Sequence, residues 1–272
     1  MRPTPPPSSP LNNRLTPSPA VAENRLTPFL AVAICLTWLC LPTILSASGT
    51  PSEAFLPSEL DALEARAVAD PDDLRAGAAY RQACIAAEAY DRCIGTFEKL
   101  AIARPESHAV LLNWGYAYVD RIPAAGAVTQ VILADTALKR FSAAIEVEES
   151  WLALYTRGNS YVYWPAIFGR TRLGIADLEK AVAMTEATGE APSYHARAYA
   201  ALGDGYWRLG DLQTARDWWR RGLERFPGDG ELEHRLALEG KPLDEHLDSH
   251  YAIGKRVETD LEALWNSEPQ EP

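Results

Sequence analysis

The stretch that decides the fold is Ala196–Gly228, which reads ARAYAALGDGYWRLGDLQTARDWWRRGLERFPG. Its apolar residues recur at helical spacing on both sides of a glycine-containing turn, which predicts two antiparallel helices. Gly203 and Ala215 are small enough to let these helices approach closely, while Tyr206 and Trp219 fill the space between them. The stretch therefore predicts a close-packed helical hairpin.

The turn and the end of this hairpin are also marked in the sequence. Gly210 and Asp211 supply the turn, and the Asp211 side chain is a candidate N-cap for the second helix. Pro227 ends that helix because it has no backbone N–H to donate. The segment is thus a complete helix–turn–helix unit.

The spacing resembles the tetratricopeptide repeat, a 34-residue helix–turn–helix with the pattern W-x2-L-G-x2-Y…A-x3-F…P. Tyr199 stands at the place of the first aromatic residue and Trp219 at that of the phenylalanine, while Leu202 and Pro227 match outright. The resemblance implies an all-α fold, an α-solenoid in which each unit buries its apolar face against the next.

Weaker copies of the pattern occur upstream, and a single helix from Ser58 is expected to cap the N-terminal end. Gly115, Gly158 and Gly203 are separated by 43 and 45 residues, a period lengthened by insertions at 120–136 and 163–172. These insertions argue against a plain superhelix with an open concave groove. The predicted repeat positions are Gly77, Tyr80, Gly115, Tyr118, Ala137, Phe141, Gly158, Tyr161, Gly203, Tyr206, Ala215, Trp219 and Pro227.

The regions outside the repeats differ in composition. Residues 1–27 are rich in proline and polar residues and form a leader that is expected to be disordered. A linker at 49–57 precedes the repeat domain, which is predicted over 58–240. Residues 241–272 read as a polar, broken tail with a candidate short helix near its end.

Residues 28–48 form an apolar segment without charged side chains, close to the length that spans a bilayer. Arg2, Arg14 and Arg25 precede it against the single acid Glu23, a bias that keeps the N-terminus in the cytoplasm. Two readings stay open, an uncleaved inner-membrane anchor and a signal peptide that is cut off. Both place the repeats in the periplasm.

Charge and cysteine content exclude several classes of function. The chain carries 26 Lys and Arg against 37 Asp and Glu, a net charge of −11, which argues against a nucleic-acid partner. The four cysteines form no CxxC motif, and we expect no metal or other cofactor. No catalytic motif stands out, so we expect no enzyme. Cys84 and Cys93 are candidates for a disulfide in an oxidising compartment, or else two buried thiols.

The resemblance implies that the first helix of each unit lines a concave, partner-binding face. The loop at 164–172 adds aromatic and arginine side chains, which either contact a partner or fold back onto the repeats. His246 and His250 have the spacing of a helical metal site, but a solvated acidic tail is the favoured reading. The candidate partner-binding residues are Arg81, Gln82, Tyr116, Asp120, Asn159, Tyr163, Trp164, Phe168, Arg170, Asp204, Trp207 and Arg208.

Two functions from different classes follow from these expectations. The first is a protein–protein interaction scaffold of the cell envelope, which binds an unidentified peptide or protein and reaches the membrane through its N-terminal segment. The alternative is a periplasmic accessory protein of a transporter, whose inserted loops enclose a small molecule. An open groove favours the first function and a loop-closed pocket the second.

Overall fold

The computed structural model describes residues 57–252 together with residues 259 and 261. The predicted leader at 1–27 and the apolar segment at 28–48 lie outside these residues. Within the described part, no helix is both long and apolar enough to cross a membrane. Its α-helices are α1 Pro57–Ala69, α2 Leu74–Ala86, α3 Tyr90–Ala103, α4 His108–Arg121, α5 Ala127–Val147, α6 Trp151–Tyr163, α7 Thr171–Ala187, α8 Ala196–Arg208, α9 Leu212–Arg225, α10 Gly230–Ala237 and α11 Gly240–His250.

These helices pack as successive hairpins, and α4 with α5, α6 with α7 and α8 with α9 make the most extensive contacts. The first helices also touch one another, α2 against α4 and α6 against α8. Stacking of this kind lets each hairpin hide an apolar face that it cannot bury alone. The predicted all-α solenoid of helical hairpins is confirmed.

The repeated glycines lie where the two helices of a hairpin cross, as predicted. A Cβ atom at Gly115 would fall 2.3 Å from the Phe141 ring, and one at Gly203 would fall 2.2 Å from the Trp219 indole nitrogen. At Gly158 it would meet the side chain of Leu178 at 2.8 Å. Close approach of the helices therefore requires glycine at these positions.

Gly77 differs from these three glycines. Its added Cβ would meet the Asn113 side chain of α4 at 2.2 Å, and not a residue of its hairpin partner α3. The contact between α2 and α3 is made instead by Tyr80 and Phe97, whose ring centroids are 5.9 Å apart. In this unit the glycine thus serves the contact between neighbouring first helices.

Side-chain caps start several helices where the sequence places a serine or an aspartate. The Asp211 carboxylate accepts a hydrogen bond from the backbone N–H of Thr214 at 3.1 Å, which confirms the predicted N-cap of α9. Ser107 and Ser150 cap α4 and α6 in the same way. Gly210, with φ of 82°, turns the chain between α8 and α9.

The insertion at 120–136 is helical over most of its length. After a 3₁₀ turn at Ile122–Ala124, it forms the first turns of α5. Leu133 is buried, whereas Val128 is 77% exposed and Ile132 is 59% exposed. The apolar run therefore extends a repeat helix and leaves part of its apolar surface in solvent.

The segment after α10 differs from the broken, polar tail that its composition predicts. Leu243, Leu247 and Tyr251 recur every four residues, and all three side chains are buried. That stripe makes 240–250 a helix, α11, which packs onto the second core cluster with Trp219. The folded repeat domain consequently extends past residue 240.

Cys84 and Cys93 are free, buried thiols in the structure. A hydrogen bond from Cys93 lowers the pKa of the Cys84 thiol, and that same contact, together with burial, raises the pKa of the Cys93 thiol. The two side chains are thus neighbours across α2 and α3. Their pairing in an oxidising compartment stays a prediction.

A buried histidine is expected to make the fold sensitive to acid. His195 stacks on Trp151 with ring centroids 4.1 Å apart, and its Nδ1 lies 2.9 Å from the Thr185 hydroxyl. Burial, with a smaller contribution from Arg225, lowers the pKa of His195 to about 4. The folded chain therefore keeps this imidazole neutral at pH values where the unfolded chain protonates it.

The unfolded state binds the extra proton between pH 6.5 and about 4, so the stability contributed by His195 falls as the pH falls through that window. Between pH 7 and pH 5 we expect a loss of about 2 kcal/mol in the free energy of unfolding. Urea denaturation at a series of pH values measures it. His195→Gln is expected to remove this part of the slope, and parallel profiles for the two proteins would contradict the prediction.

Candidate binding groove

A cavity of about 420 Å³ lies along the first helices α4, α6 and α8, the face that the resemblance implies to be the binding face. Residues from α10, α11 and the C-terminal region complete its wall. Its lining residues are Tyr116, Val119, Phe141, Leu152, Tyr155, Thr156, Asn159, Ser160, Tyr163, Arg197, Ala200, Ala201, Asp204, Asp229, Glu231, Arg235, His250, Tyr251, Thr259 and Leu261.

Two polar side chains of this wall are available to a ligand. The Asn159 amide of α6 and the Arg197 guanidinium of α8 both line the cavity. In the described part of the chain, no hydrogen bond or ion pair engages either side chain. An amide and a guanidinium beside aromatic rings can orient a polar ligand while the rings cover its apolar parts.

Aromatic hydroxyls make up much of the remaining wall. The Tyr116 hydroxyl lies 2.5 Å from that of Thr156, and burial raises the pKa of Tyr116 to about 12. The Tyr163 hydroxyl lies 3.1 Å from His250 Nε2, and burial raises the pKa of Tyr163 as well. Both phenols therefore stay protonated at neutral pH and serve as neutral hydrogen-bonding groups.

One end of the cavity is built on a buried charged cluster. The Asp204 carboxylate accepts from Arg235 Nε at 2.9 Å and from Arg235 Nη2 at 3.0 Å. It also accepts from the Trp219 indole N–H at 3.1 Å and from the Tyr251 hydroxyl at 2.7 Å. Asp204 thus joins α8 to α9, α10 and the residue after α11, and its oxygens are committed to the fold.

A second buried pair lies at the other end of the groove. Arg81 Nη1 donates to Asp120 at 2.8 Å, and Arg81 Nε donates to the Asn113 side chain at 3.0 Å. The third nitrogen of this guanidinium, Nη2, donates to the backbone carbonyl of Thr259 at 2.9 Å. Arg81 and Asp120 were expected on the partner-binding face, but both side chains are buried, and Thr259 contacts each of them.

The structure brings four of the predicted partner-binding residues into the cavity wall, namely Tyr116, Asn159, Tyr163 and Asp204. Arg81 and Asp120 adjoin it through Thr259. The others lie elsewhere: Gln82 has a side-chain nitrogen that is buried without a partner in the described residues, and Trp207 donates to Asp244 at 3.0 Å.

The loop at 164–172 divides into a buried and an exposed part. Trp164 is buried; Phe168 packs edge-on against its ring, and the Arg170 guanidinium stacks over it at 3.9 Å. The Trp164 carbonyl also accepts from Arg208 at 3.1 Å. Phe168 itself is 51% exposed. Of this loop, Trp164 therefore holds the structure together, and Phe168 is available to a partner.

His246 and His250, which have the spacing of a helical metal site, contact different side chains. His246 packs against the ring of His234, with centroids 4.6 Å apart, whereas His250 faces Tyr163. Across the described residues, no three His, Cys, Asp or Glu side chains come together in a metal-binding arrangement.

Two cavity residues that the sequence pattern missed, Arg197 and Tyr155, lie on the same helix faces as residues that it found. Arg197 precedes Asp204 by seven residues, and Tyr155 precedes Asn159 by four, so each pair shares a face of its helix. A predicted groove that also included the one or two helical turns before each repeat glycine would have contained both Arg197 and Tyr155. Thr259 carries no comparable signal, and Leu261 was predicted only as an apolar position of the candidate short helix near the C-terminus, most of which lies outside the described residues.

Residues 196–238 match the family model of the tetratricopeptide repeat. Among solved structures, the chain is similar to TTC0263, a thermophilic tetratricopeptide-repeat protein of Thermus thermophilus, at 20% identity and a TM-score of 0.50. That alignment covers 65% of this chain and 87% of the other. It is also similar to the MamA protein at 18% identity and a TM-score of 0.43, over 66% and 87% of the two chains.

The chain has no match among curated proteins. The similarity to TTC0263 shows a shared fold, and the family match lies on the hairpin that carries the complete pattern of repeat residues. The glycine crossings at Gly115, Gly158 and Gly203 extend the same packing to the preceding hairpins. Residues 196–238 therefore form a tetratricopeptide repeat, and the chain shares the fold of a tetratricopeptide-repeat protein.

Proposed function

We propose that this protein is an interaction scaffold that binds a short extended peptide of a protein partner in the cavity between α4, α6 and α8. Tetratricopeptide-repeat proteins generally bind protein partners. The observation that carries the proposal for this chain is the cavity wall, in which Asn159 and Arg197 lie among aromatic side chains and, in the described part of the chain, take part in no hydrogen bond or ion pair.

The chemistry of the wall suits a peptide. An asparagine amide can both donate to a backbone carbonyl and accept from a backbone N–H. Arg197 provides up to five donors for carbonyl or carboxylate oxygens, and Tyr155 and Tyr163 provide apolar ring surface. A volume of about 420 Å³ holds a few side chains of a peptide, not a folded domain.

A cell-envelope location is part of the proposal. Its support is the uncharged apolar segment at 28–48 behind a basic leader, which lies outside the described residues. Fractionation of cells, followed by N-terminal sequencing of the mature protein, tests the location and shows whether the segment is cut. Recovery of the intact chain from the cytoplasmic fraction would contradict it.

The second candidate is a small molecule held in the same cavity. Tyr251, Thr259 and Leu261 contribute to the wall in addition to the first helices, so the space is partly enclosed. The insertions expected to enclose it contribute only Tyr163, the last residue of α6, among the lining residues. The small-molecule alternative was predicted because inserted loops would close the cavity. Residues near the C-terminus close it instead, so that argument is weaker, but the alternative can be tested.

Peptide selection on the purified full chain tests the proposal. We expect peptides from a random display library to bind with micromolar dissociation constants, and Asn159→Ala and Arg197→Ala each to weaken binding about tenfold, which corresponds to about 1.4 kcal/mol. Fluorescence anisotropy measures the affinities. Lys99→Ala, an exposed change on α3, is the matched control and should bind as the wild type does.

The same measurements separate the two candidates. Peptide affinities that neither cavity variant changes would contradict the proposed groove. If no peptide binds, but a library of small metabolites contains a compound that raises the melting temperature of the wild type and not of Arg197→Ala, the second candidate is supported instead.

A further inference from the structure

The groove already holds a segment of its own chain. Thr259 is 2% exposed and Leu261 is 4% exposed, and both line the cavity. Thr259 lies eight residues beyond Tyr251, and it contacts helices α2 and α4 near the opposite end of the repeat array.

The Arg81–Asp120 pair binds both the backbone and the side chain of Thr259. Arg81 Nη2 donates to the Thr259 carbonyl at 2.9 Å, and the Thr259 hydroxyl donates to Asp120. The pair is held in place independently of this contact, since Arg81 also binds Asp120 directly and reaches Asn113. Such a prebuilt pair of charges recognises a hydroxyl side chain together with a peptide carbonyl.

Leu261 occupies the apolar part of the same site. It belongs to the first core cluster with Tyr116 and Phe141, and these two rings line the cavity beside it. The site therefore contacts a hydroxyl residue and an apolar residue at a spacing of two.

We propose that the Arg81–Asp120 pair and the adjoining apolar end of the cavity form a recognition site for a hydroxyl residue followed two residues later by a leucine, and that Thr259 and Leu261 occupy this site in cis. The cis segment then competes with any peptide partner that carries the same sequence. Competition with a partner rests on the proposed function, whereas the cis occupancy does not.

A tethered competitor is effective even when its intrinsic affinity is low. A short tether gives a segment an effective concentration in the millimolar range at its site. Suppose that a free peptide binds the vacant site with a dissociation constant of about 100 μM. Its affinity for the self-occupied chain is then expected to be at least about tenfold weaker. Substitutions that weaken the tethered segment should open the site to the same peptide.

The test uses the full chain with Thr259→Val and Leu261→Asp together, the release variant. The probe is a fluorescent synthetic peptide of residues 254–268, and anisotropy reports its binding. We expect at least tenfold tighter binding to the release variant than to the wild type. A peptide that carries both substitutions is the control ligand and should bind neither protein. Val128→Asp, at an exposed apolar position, is the control protein and should behave as the wild type does.

Circular dichroism confirms that the release variant is folded before it is compared. If it is folded and binds the peptide no better than the wild type does, the proposal is overturned. If it does not fold, Thr259→Val alone replaces it. Hydrogen exchange of the wild-type C-terminal region then gives a second measurement: excess peptide should raise its exchange, and no change overturns the proposal.

The outcomes also separate this proposal from the proposed function. Tight binding of the 254–268 peptide to the release variant supports cis occupancy even if library peptides bind neither protein, a result that would contradict the scaffold proposal alone. Library peptides that bind the wild type and the release variant equally well would leave the scaffold proposal standing and overturn competition by the cis segment.

Discussion

Asp204→Ala is expected to lower the free energy of unfolding by about 3 to 5 kcal/mol, because it leaves the buried guanidinium of Arg235 without its main counter-charge. Both side chains are almost fully buried, and two hydrogen bonds of 2.9 and 3.0 Å join them. Glu231 still pairs with Arg235 at 2.7 Å, but its own side chain is 71% exposed and compensates only in part.

The loss extends beyond the ion pair. Asp204 also accepts from Tyr251, whose hydroxyl would be left buried, and from Trp219, which retains only the Ala200 carbonyl at 3.2 Å. Urea denaturation at pH 7 measures the change. We expect α10 and α11 to loosen first, because Asp204 holds Arg235 of α10 and the residue that follows α11.

Two further variants show whether the buried charge is the cause. Asp217→Ala removes an exposed partner of Arg220 from the next helix and should change stability by less than about 0.5 kcal/mol. Asp204→Ala combined with Arg235→Met should recover part of the loss, since no unpaired charge remains buried. If the double variant loses as much free energy of unfolding as Asp204→Ala and Arg235→Met lose in sum, this explanation is contradicted.

The hairpins could be predicted because their packing leaves a mark on the sequence. A glycine at a crossing and a large side chain opposite it recur in three of the units, as Gly115 does with Phe141 and Gly203 with Trp219. Because only glycine allows that approach, the packing at each crossing requires a glycine at that position of the sequence. The helix bounds followed from caps such as Asp211 for the same reason.

The C-terminal part could not be predicted in this way. Helix α11 is mostly polar, and the buried side chains of Leu243 and Leu247 in it, and of Tyr251 just after it, stand out only once a neighbouring surface is known. Thr259 contacts Asp120 across 139 residues. A contact of that range leaves no period in the sequence, since it depends on where the whole array places its ends.

Part of the candidate site was predicted for a related reason. The first helices were expected to line the groove, and Tyr116, Asn159 and Tyr163 do so. The sequence pattern did not predict that Arg81 and Asp204 are buried. Their burial depends on residues far along the chain, since Arg81 contacts Thr259 and Asp204 contacts Tyr251. The residues on the face could be predicted, but not what covers them.

Gly203→Ala is expected to lower the free energy of unfolding by about 3 kcal/mol, at the upper end of what overpacking a core costs. The new methyl group would lie 2.2 Å from the Trp219 indole nitrogen and 2.8 Å from the Ala215 carbonyl oxygen. The carbonyl belongs to the backbone of α9, and the indole is fully buried, so neither can yield without opening the hairpin. Urea and thermal denaturation measure the effect.

The matched control is the same substitution at Gly95, an interior position of α3 where an added Cβ meets nothing within 4 Å. Alanine is the better helix former by about 0.5 to 1 kcal/mol, so Gly95→Ala is expected to stabilise the chain by that amount. One chemical change should thus have opposite signs at two helical glycines. If both variants are stabilised, helix propensity outweighs the crossing contact, and close packing at Gly203 is not what requires glycine there.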